Sequence, residues 1–166
     1  MMLKSLRLSP VAGLLAMAAL AVWPAMASAE SSGAHFFADT SASIANSGAL
    51  TVHIDEAGLG GTETHYSLSA EATATYACIN GGGNHPKAAN KETFNEELSA
   101  EASFQPKHGR VQADMSAGPI SAGSFKCPGG QKLVLAAVSY SNIVLTDTTN
   151  NVTDNLGSLS RTFFEV

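Results

Sequence analysis

Between Tyr66 and Cys78 the chain alternates: Tyr66, Leu68, Ala70, Ala72, Ala74, Tyr76 and Cys78 share one parity, and Ser67, Ser69, Glu71, Thr73 and Thr75 share the other. Successive side chains of a β-strand point to opposite faces, so this spacing gathers an apolar face and a hydroxyl face. Alanine is the best helix former, but a helix would scatter Glu71 and the hydroxyls around its circumference. The period decides for a strand. A straight strand from Thr62 to Cys78 would exceed about 50 Å, too long for a small domain, so a bend or bulge is expected near Ala70-Glu71.

The same period recurs along the chain. Leu50, Val52 and Ile54 alternate with Thr51, His53 and Asp55, and Leu98, Ala100, Ala102 and Phe104 alternate with Ser99, Glu101, Ser103 and Gln105. Val111, Ala113 and Met115 follow after the turn PKHGR, and LVLAAVSYSNIVL is apolar on both faces at its start, as a central strand is. An N-terminal strand in HFFADTSASIA and a closing strand in LGSLSRTFFEV complete the count, with DTTNNVTDN as the last turn. Seven or eight strands with turn signals predict an all-β fold: a single antiparallel β-sandwich, immunoglobulin-like, held by one disulfide. Short loops suggest two hairpins. The first would pair Ile54 with Tyr66, Val52 with Leu68 and Leu50 with Ala70 around AGLGG, placing Asp55 opposite His65 and His53 opposite Ser67.

The N-terminus sets the expected compartment. Lys4 and Arg7, an uncharged run from Leu8 to Val22 and the small-residue tail Ala27-Ser28-Ala29 have the three parts of a secretory signal peptide. The apolar run is shorter than the roughly 20 residues of a bilayer-spanning helix. Residues 1–29 are therefore read as a signal peptide and 30–166 as one β-sandwich domain, secreted to the extracellular side with no stable membrane insertion after cleavage. Removing Lys4 and Arg7 from nine basic residues leaves seven against 14 acidic ones, a formal charge of −7. That balance repels phosphate backbones, so no nucleic-acid partner is expected. Cys78 and Cys127 are the only cysteines, and export favours their pairing as a disulfide.

The stretch CINGGGNHPK follows the first cysteine. It lacks the G-x-x-x-x-G-K-[ST] spacing of a phosphate loop. It reads first as a disulfide-tethered connection and second as a recognition loop presenting Asn80, Asn84, His85 and Lys87. His53, Asp55 and His65 bear metal-ligating groups, but a cross-strand Asp55–His65 pair is the simpler expectation. Asp147–Asn155 is oxygen-rich without the EF-hand spacing, and Asx turns explain such composition. Asn151-Val152-Thr153 is a glycosylation acceptor triplet. Glu92, Glu96, Glu97 and Glu101 contain the makings of a carboxylate pair, but Glu97 and Glu101 should face solvent beside serines. G-x-S-x-G and H-E-x-x-H are missing from the sequence. No catalytic residue, metal ligand or cofactor is assigned on these grounds.

The sequence features DEAGLG, TYACINGGG, KCPGGQ and SYSNIVLTDTTN…SRTFF resemble a group of small exported microbial β-sandwich proteins of uncharacterised function. The resemblance covers nearly all of residues 30–166 and implies export, with no catalytic residue to carry over. The expected function is a non-enzymatic binding or interaction module whose partner is a protein or a cell-wall surface. The alternative is a small secreted enzyme or enzyme inhibitor acting through the loops tethered by Cys78 and Cys127.

Overall fold

A computed structural model describes residues 33–80 and 90–166. The segment read as a signal peptide lies outside these residues. Two antiparallel sheets share one core. The smaller contains β1 (His35–Phe36), β2 (Ser41–Ile44), β3 (Leu50–Ala57) and β6 (Arg110–Ala117). β6 pairs along the whole of β3, while β1 and β2 follow one another along its opposite edge. The larger runs in the order β5 (Lys91–Phe104), β4 (Thr64–Asn80), β7 (Gln131–Asp147), β8 (Val152–Thr162). The expected all-β fold and the single disulfide are present, and no helix occurs among the described residues.

The alternating parities become the two faces of each sheet. Leu50, Val52 and Ile54 of β3 are fully buried and meet Tyr66, Leu68, Val138, Tyr140, Ile143 and Leu145 from the larger sheet. Burying a large aliphatic or aromatic side chain contributes about 1.5–3 kcal/mol, so this cluster dominates the stability. The two central tyrosines need acceptors when buried. Tyr140 donates to the carbonyl of Gly48 at 2.6 Å, across to the opposite sheet's β2–β3 turn. Tyr66 donates to Glu56 of β3 at 2.7 Å.

Both expected hairpins are overturned. β3 does not pair with β4, nor β5 with β6; each of these connections carries the chain from one sheet to the other. Leu50, Val52 and Ile54 lie opposite Ala117, Met115 and Ala113 instead of Ala70, Leu68 and Tyr66. The physical reason is that a lone hairpin leaves its apolar face uncovered, whereas crossing between sheets lays the two apolar faces on one another. Side-chain parity is identical in both solutions, so it does not distinguish them. Real hairpins join β4 to β5 and β7 to β8.

The crossing after β3 depends on Gly58. It has a φ of +77°, and a Cβ there would overlap the backbone carbonyl of Gly33 and crowd the amide of Ala34. A bulge does fall beside Ala70-Glu71, where a bend or bulge is expected, but its extra residue lies on the partner strand β7, at Asn142 with a φ of +52°, and the pairing of β4 with β5 runs through unbroken. The β4–β7 register shifts between Ser69 and Glu71, with a second shift between Thr75 and Tyr76. β7 lies between β4 and β8, and near its start both faces are covered: Leu135 and Val138 by the main core, Ala136 by Phe164 and Val166. β8 begins earlier than expected, at Val152, because Asn151 adopts a φ of +57° and lets Asp147–Asn151 close the hairpin tightly. The C-terminal strand stops at Thr162, yet the expected closing segment still packs: Phe163 joins the main core, and Phe164 and Val166 cover Ala77 and Ala136.

The Cys78–Cys127 bridge ties β4 to the long β6–β7 connection, with Cα atoms 5.4 Å apart and 49 residues of separation. The chain-entropy treatment assigns such a loop about 4 kcal/mol. Replacing both cysteines with serine should lower unfolding stability by roughly that amount in urea denaturation; a loss below about 1 kcal/mol would show that the end is held by packing alone. Gly58→Ala should destabilise by about 2 kcal/mol or more, read the same way, because both its dihedral and its space exclude a side chain.

Candidate functional site

Of the four residues expected to form a recognition loop, Asn80 is described and Asn84, His85 and Lys87 lie outside the described residues. Asn80 is the exposed last residue of β4, opposite Gln131, whose side-chain amide donates to the Asn80 oxygen at 3.3 Å. The amide of Cys78 donates to the carbonyl of Asn90 at 3.0 Å, so the β4 and β5 ends are joined immediately beside the disulfide. Tyr76 donates to the carbonyl of Ile120 and stacks edge-on against Phe94, fixing the β6–β7 connection over the same end.

The group His53, Asp55 and His65 is not brought together, which corrects the expected Asp55–His65 and His53–Ser67 pairs. His53 meets Asp114 of β6 at 2.8 Å, with both side chains well exposed. His65 hydrogen-bonds Ser103 of β5 at 2.6 Å. Asp55 is 1 % exposed and receives both ends of the Arg110 guanidinium, together with Gln112. These separations follow from β3 and β4 lying in different sheets. Among the described residues, no three His, Cys, Asp or Glu side chains are grouped as metal ligands.

The Arg110 fork holds the Asp55 carboxyl below the ordinary carboxylate range, against the opposing effect of burial. Arg110 also lies over the ring of Phe37, 4.7 Å from its centroid. Asp55 therefore contributes stability above the ordinary carboxylate range, and that contribution is lost as pH falls through its lowered value. The pair is lopsided, since the Arg110 side chain is 42 % exposed and that of Asp55 is 1 %. Beside it, between β5 and β6, is a cleft of about 520 Å³ lined by Phe104, Lys107, His108 and Arg110.

One residue further along β3, Glu56 points inward and is fully buried with Tyr66 and Asp147. Sequence reasoning missed this group. The signal was there in the parity: Glu56 continues Leu50, Val52 and Ile54, and Asp147 continues Ile143 and Leu145. Asp147 also decides the oxygen-rich turn. Its carboxylate accepts from the amides of Thr149 and Asn150 at 2.8 and 3.0 Å and from the Asn150 side chain. These are the bonds of an Asx turn.

The outer face of the larger sheet carries paired polar side chains. There Thr75 pairs with Thr93, Thr73 with Asn95, Ser69 with Ser99 and Ser67 with Glu101. Hydroxyl bonds join Thr75 to Thr93 at 3.0 Å, and Thr73 donates to Asn95 at 2.7 Å. On the other side of β4, Ser141 donates to Glu71, and Thr146 lies against Thr153. Glu97 and Glu101 are exposed as expected, and Glu97 stands directly opposite Glu71. Phe164 and Val166 bound this face above Thr75. Comparison with protein-family models, with curated proteins and with solved structures finds no match to this chain.

The Asp55–Arg110 geometry predicts an ordered pair of substitutions. Arg110→Ala leaves a buried carboxylate without its cation and should cost about 3 kcal/mol. Asp55→Asn leaves an arginine that water can solvate and should cost about 1–2 kcal/mol. Urea denaturation of both at neutral pH checks the order; equal losses would contradict it.

Proposed function

We propose that this chain is a secreted, non-enzymatic binding module whose docking surface is the outer face of the larger sheet. The observation that carries this reading is the in-register array of Ser, Thr and Asn side chains on β4 and β5, continued onto β7 and β8. Neighbouring strands stand about 4.8 Å apart, so paired hydroxyls form rows of alternating donors and acceptors at a fixed spacing. Along β4 and β5 the charged outward groups between His65 and Thr75 are the carboxylates of Glu71, Glu97 and Glu101. A hydroxyl-lined face of this kind suits a hydrated, hydroxyl-bearing cell-wall surface. Secretion is supported by the leader-like N-terminus and by the disulfide, which oxidising compartments favour.

The immunoglobulin-like sandwich is part of the same proposal. β1 and β2 together, β3 and β6 correspond in order to the first, second and fifth strands of that fold. β4, β7 and β8 correspond to the third, sixth and seventh, while β5, beside β4 at the edge of the larger sheet, departs from the fourth strand of the constant-type fold and takes the place of the strand that the variable type adds there. The crossings between β3 and β4 and between β5 and β6 support this order. The cysteines depart from the antibody pattern: they tie β4 to a connection instead of bridging the second and sixth strands.

The test is co-sedimentation of the purified protein with insoluble cell-wall material, beside a variant carrying Thr75→Arg and Ser139→Arg. Surface changes of this type leave stability within about 0.5 kcal/mol, and the variant should lose about tenfold in affinity, the equivalent of one good contact region. Equal binding by both proteins would remove the face from the function. If neither wall material nor proteins of the culture fluid retain the wild-type chain, the binding-module reading fails.

A further inference from the structure

We propose that Glu56 holds a proton that it shares with Asp147, and that this proton clasps the two sheets together at the β7–β8 turn, so that this end loosens in alkaline medium. The argument begins with an orphan oxygen. Glu56 is 0 % exposed, and one of its oxygens, Oε2, accepts from the Tyr66 hydroxyl at 2.7 Å. The other, Oε1, has no hydrogen-bond partner among the described residues. Leaving such an atom buried and unpaired costs about 1–3 kcal/mol, more for a charged group.

Its neighbour is another carboxyl. Asp147 is also 0 % exposed, stands directly opposite Tyr66 in the β4–β7 register, and acts on the Glu56 carboxyl that the Tyr66 hydroxyl holds. Two carboxylates facing one another are both acceptors and form no bond; insert one proton and the orphan becomes a donor. Which of the two carries it follows from their other partners. Asp147 already accepts from three N–H groups of its own turn. Glu56 has a single phenol. The proton therefore resides on Glu56 and points to Asp147.

Among the described residues, no ion pair reaches Glu56 or Asp147. Tyr66 of β4 and Asp147 of β7 are the groups that act on Glu56. Across its own sheet Glu56 lies beside Val111 of β6 and Phe36 of β1, and Phe104 of β5 packs against the Tyr66 ring. The nearest cation by sequence position, Arg110, belongs to Asp55 on the outer side of β3. On β8, Val152 pairs with Asp147, and Asp154 lines a shallow cleft together with His35 of β1. Burial first, and the Asp147 charge after it, push the Glu56 carboxyl up to about 7, with the Tyr66 hydrogen bond opposing them.

The consequence has a definite sign. A carboxyl raised in the folded state stabilises the fold in acid, and the contribution is lost as pH climbs from the ordinary carboxylate range to about 7. Asp55, its neighbour in sequence, behaves in the opposite way. Above neutral pH two buried negative charges oppose one another at the point where the smaller sheet meets the β7–β8 turn. That turn is otherwise held to β4 by Thr148, which donates to the His65 carbonyl, and by Thr149, which accepts from the His65 amide.

The experiment is thermal melting of the wild type and of Glu56→Gln at pH 5.5 and 8.5. The glutamine amide reproduces the protonated carboxyl, donating to Asp147 at every pH. The variant should melt higher than the wild type at pH 8.5, and the gap between them should widen by about 5 °C or more from pH 5.5 to 8.5. A constant gap overturns the proposal. Should the variant not fold, ¹³C carboxyl resonances of the wild type serve instead: a Glu56 midpoint near neutral, with loss of amide protection over Leu145–Val152 above it, is the expected result. A midpoint in the ordinary carboxylate range overturns the clasp. Calcium chloride restoring the acid melting temperature at pH 8.5 would assign the gap to a cation, and would overturn it as well.

Discussion

The structure depends on one packing constraint: side chains of a single parity on β3 and β6 must be covered by side chains of a single parity on β4 and β7. Leu50, Val52 and Ile54 reach zero exposure only because Tyr66, Leu68, Tyr140, Ile143 and Leu145 come down on them from the other sheet. Every crossing connection follows from this. The chain passes from β3 to β4 through a corner that only Gly58 can make without a clash, and returns through the PKHGR turn between β5 and β6. Polar atoms that the packing encloses are then used as cross-sheet ties: Tyr140 to Gly48, Tyr66 to Glu56 and, at the edge, Arg161 of β8 to the carbonyl of Ile44.

The two ends of the domain are held by different physics. At one, the disulfide, Tyr76 and Phe94 fasten the overhanging strands of the larger sheet to the β6–β7 connection. This end is held by a covalent bond, ring packing and one phenol hydrogen bond. At the other, Asp55 and Glu56 sit side by side on β3 and face opposite ways. The outward one meets an arginine and stays charged; the inward one meets another carboxyl in a desolvated space and is driven towards neutrality. Alternation along a strand is enough to give adjacent acids opposite titration behaviour.

The outer face of the larger sheet is a by-product of the same geometry. Its serines, threonines and asparagines occupy the parity that faces water, and the extra residue on β7 near Asn142 lets Ser141 and Ser139 stay opposite Glu71 and Thr73. Their rows form only when four strands are aligned, so a single strand's hydroxyls carry little information about the surface. Reading Thr73 and Thr75 alone gives a polar strand face; seeing them against Asn95, Thr93, Ser139 and Ala137 gives a continuous polar surface.

Local and compositional facts were legible in the sequence, because they depend on residues near one another or on counting. The strand period, the central character of β7, the outward Glu97 and Glu101 and the pairing of the only two cysteines all belong here. Partner choice was not. Leu50–Ala57 presents the same apolar parity whether it pairs with β4 or is covered by it, and covering removes far more surface from water than a lone hairpin does. That choice placed Asp55 on Arg110, His65 on Ser103 and Glu56 on Asp147. The residues and their alternation come from the chain itself; which of them meet is decided only when two apolar faces find the arrangement that hides both.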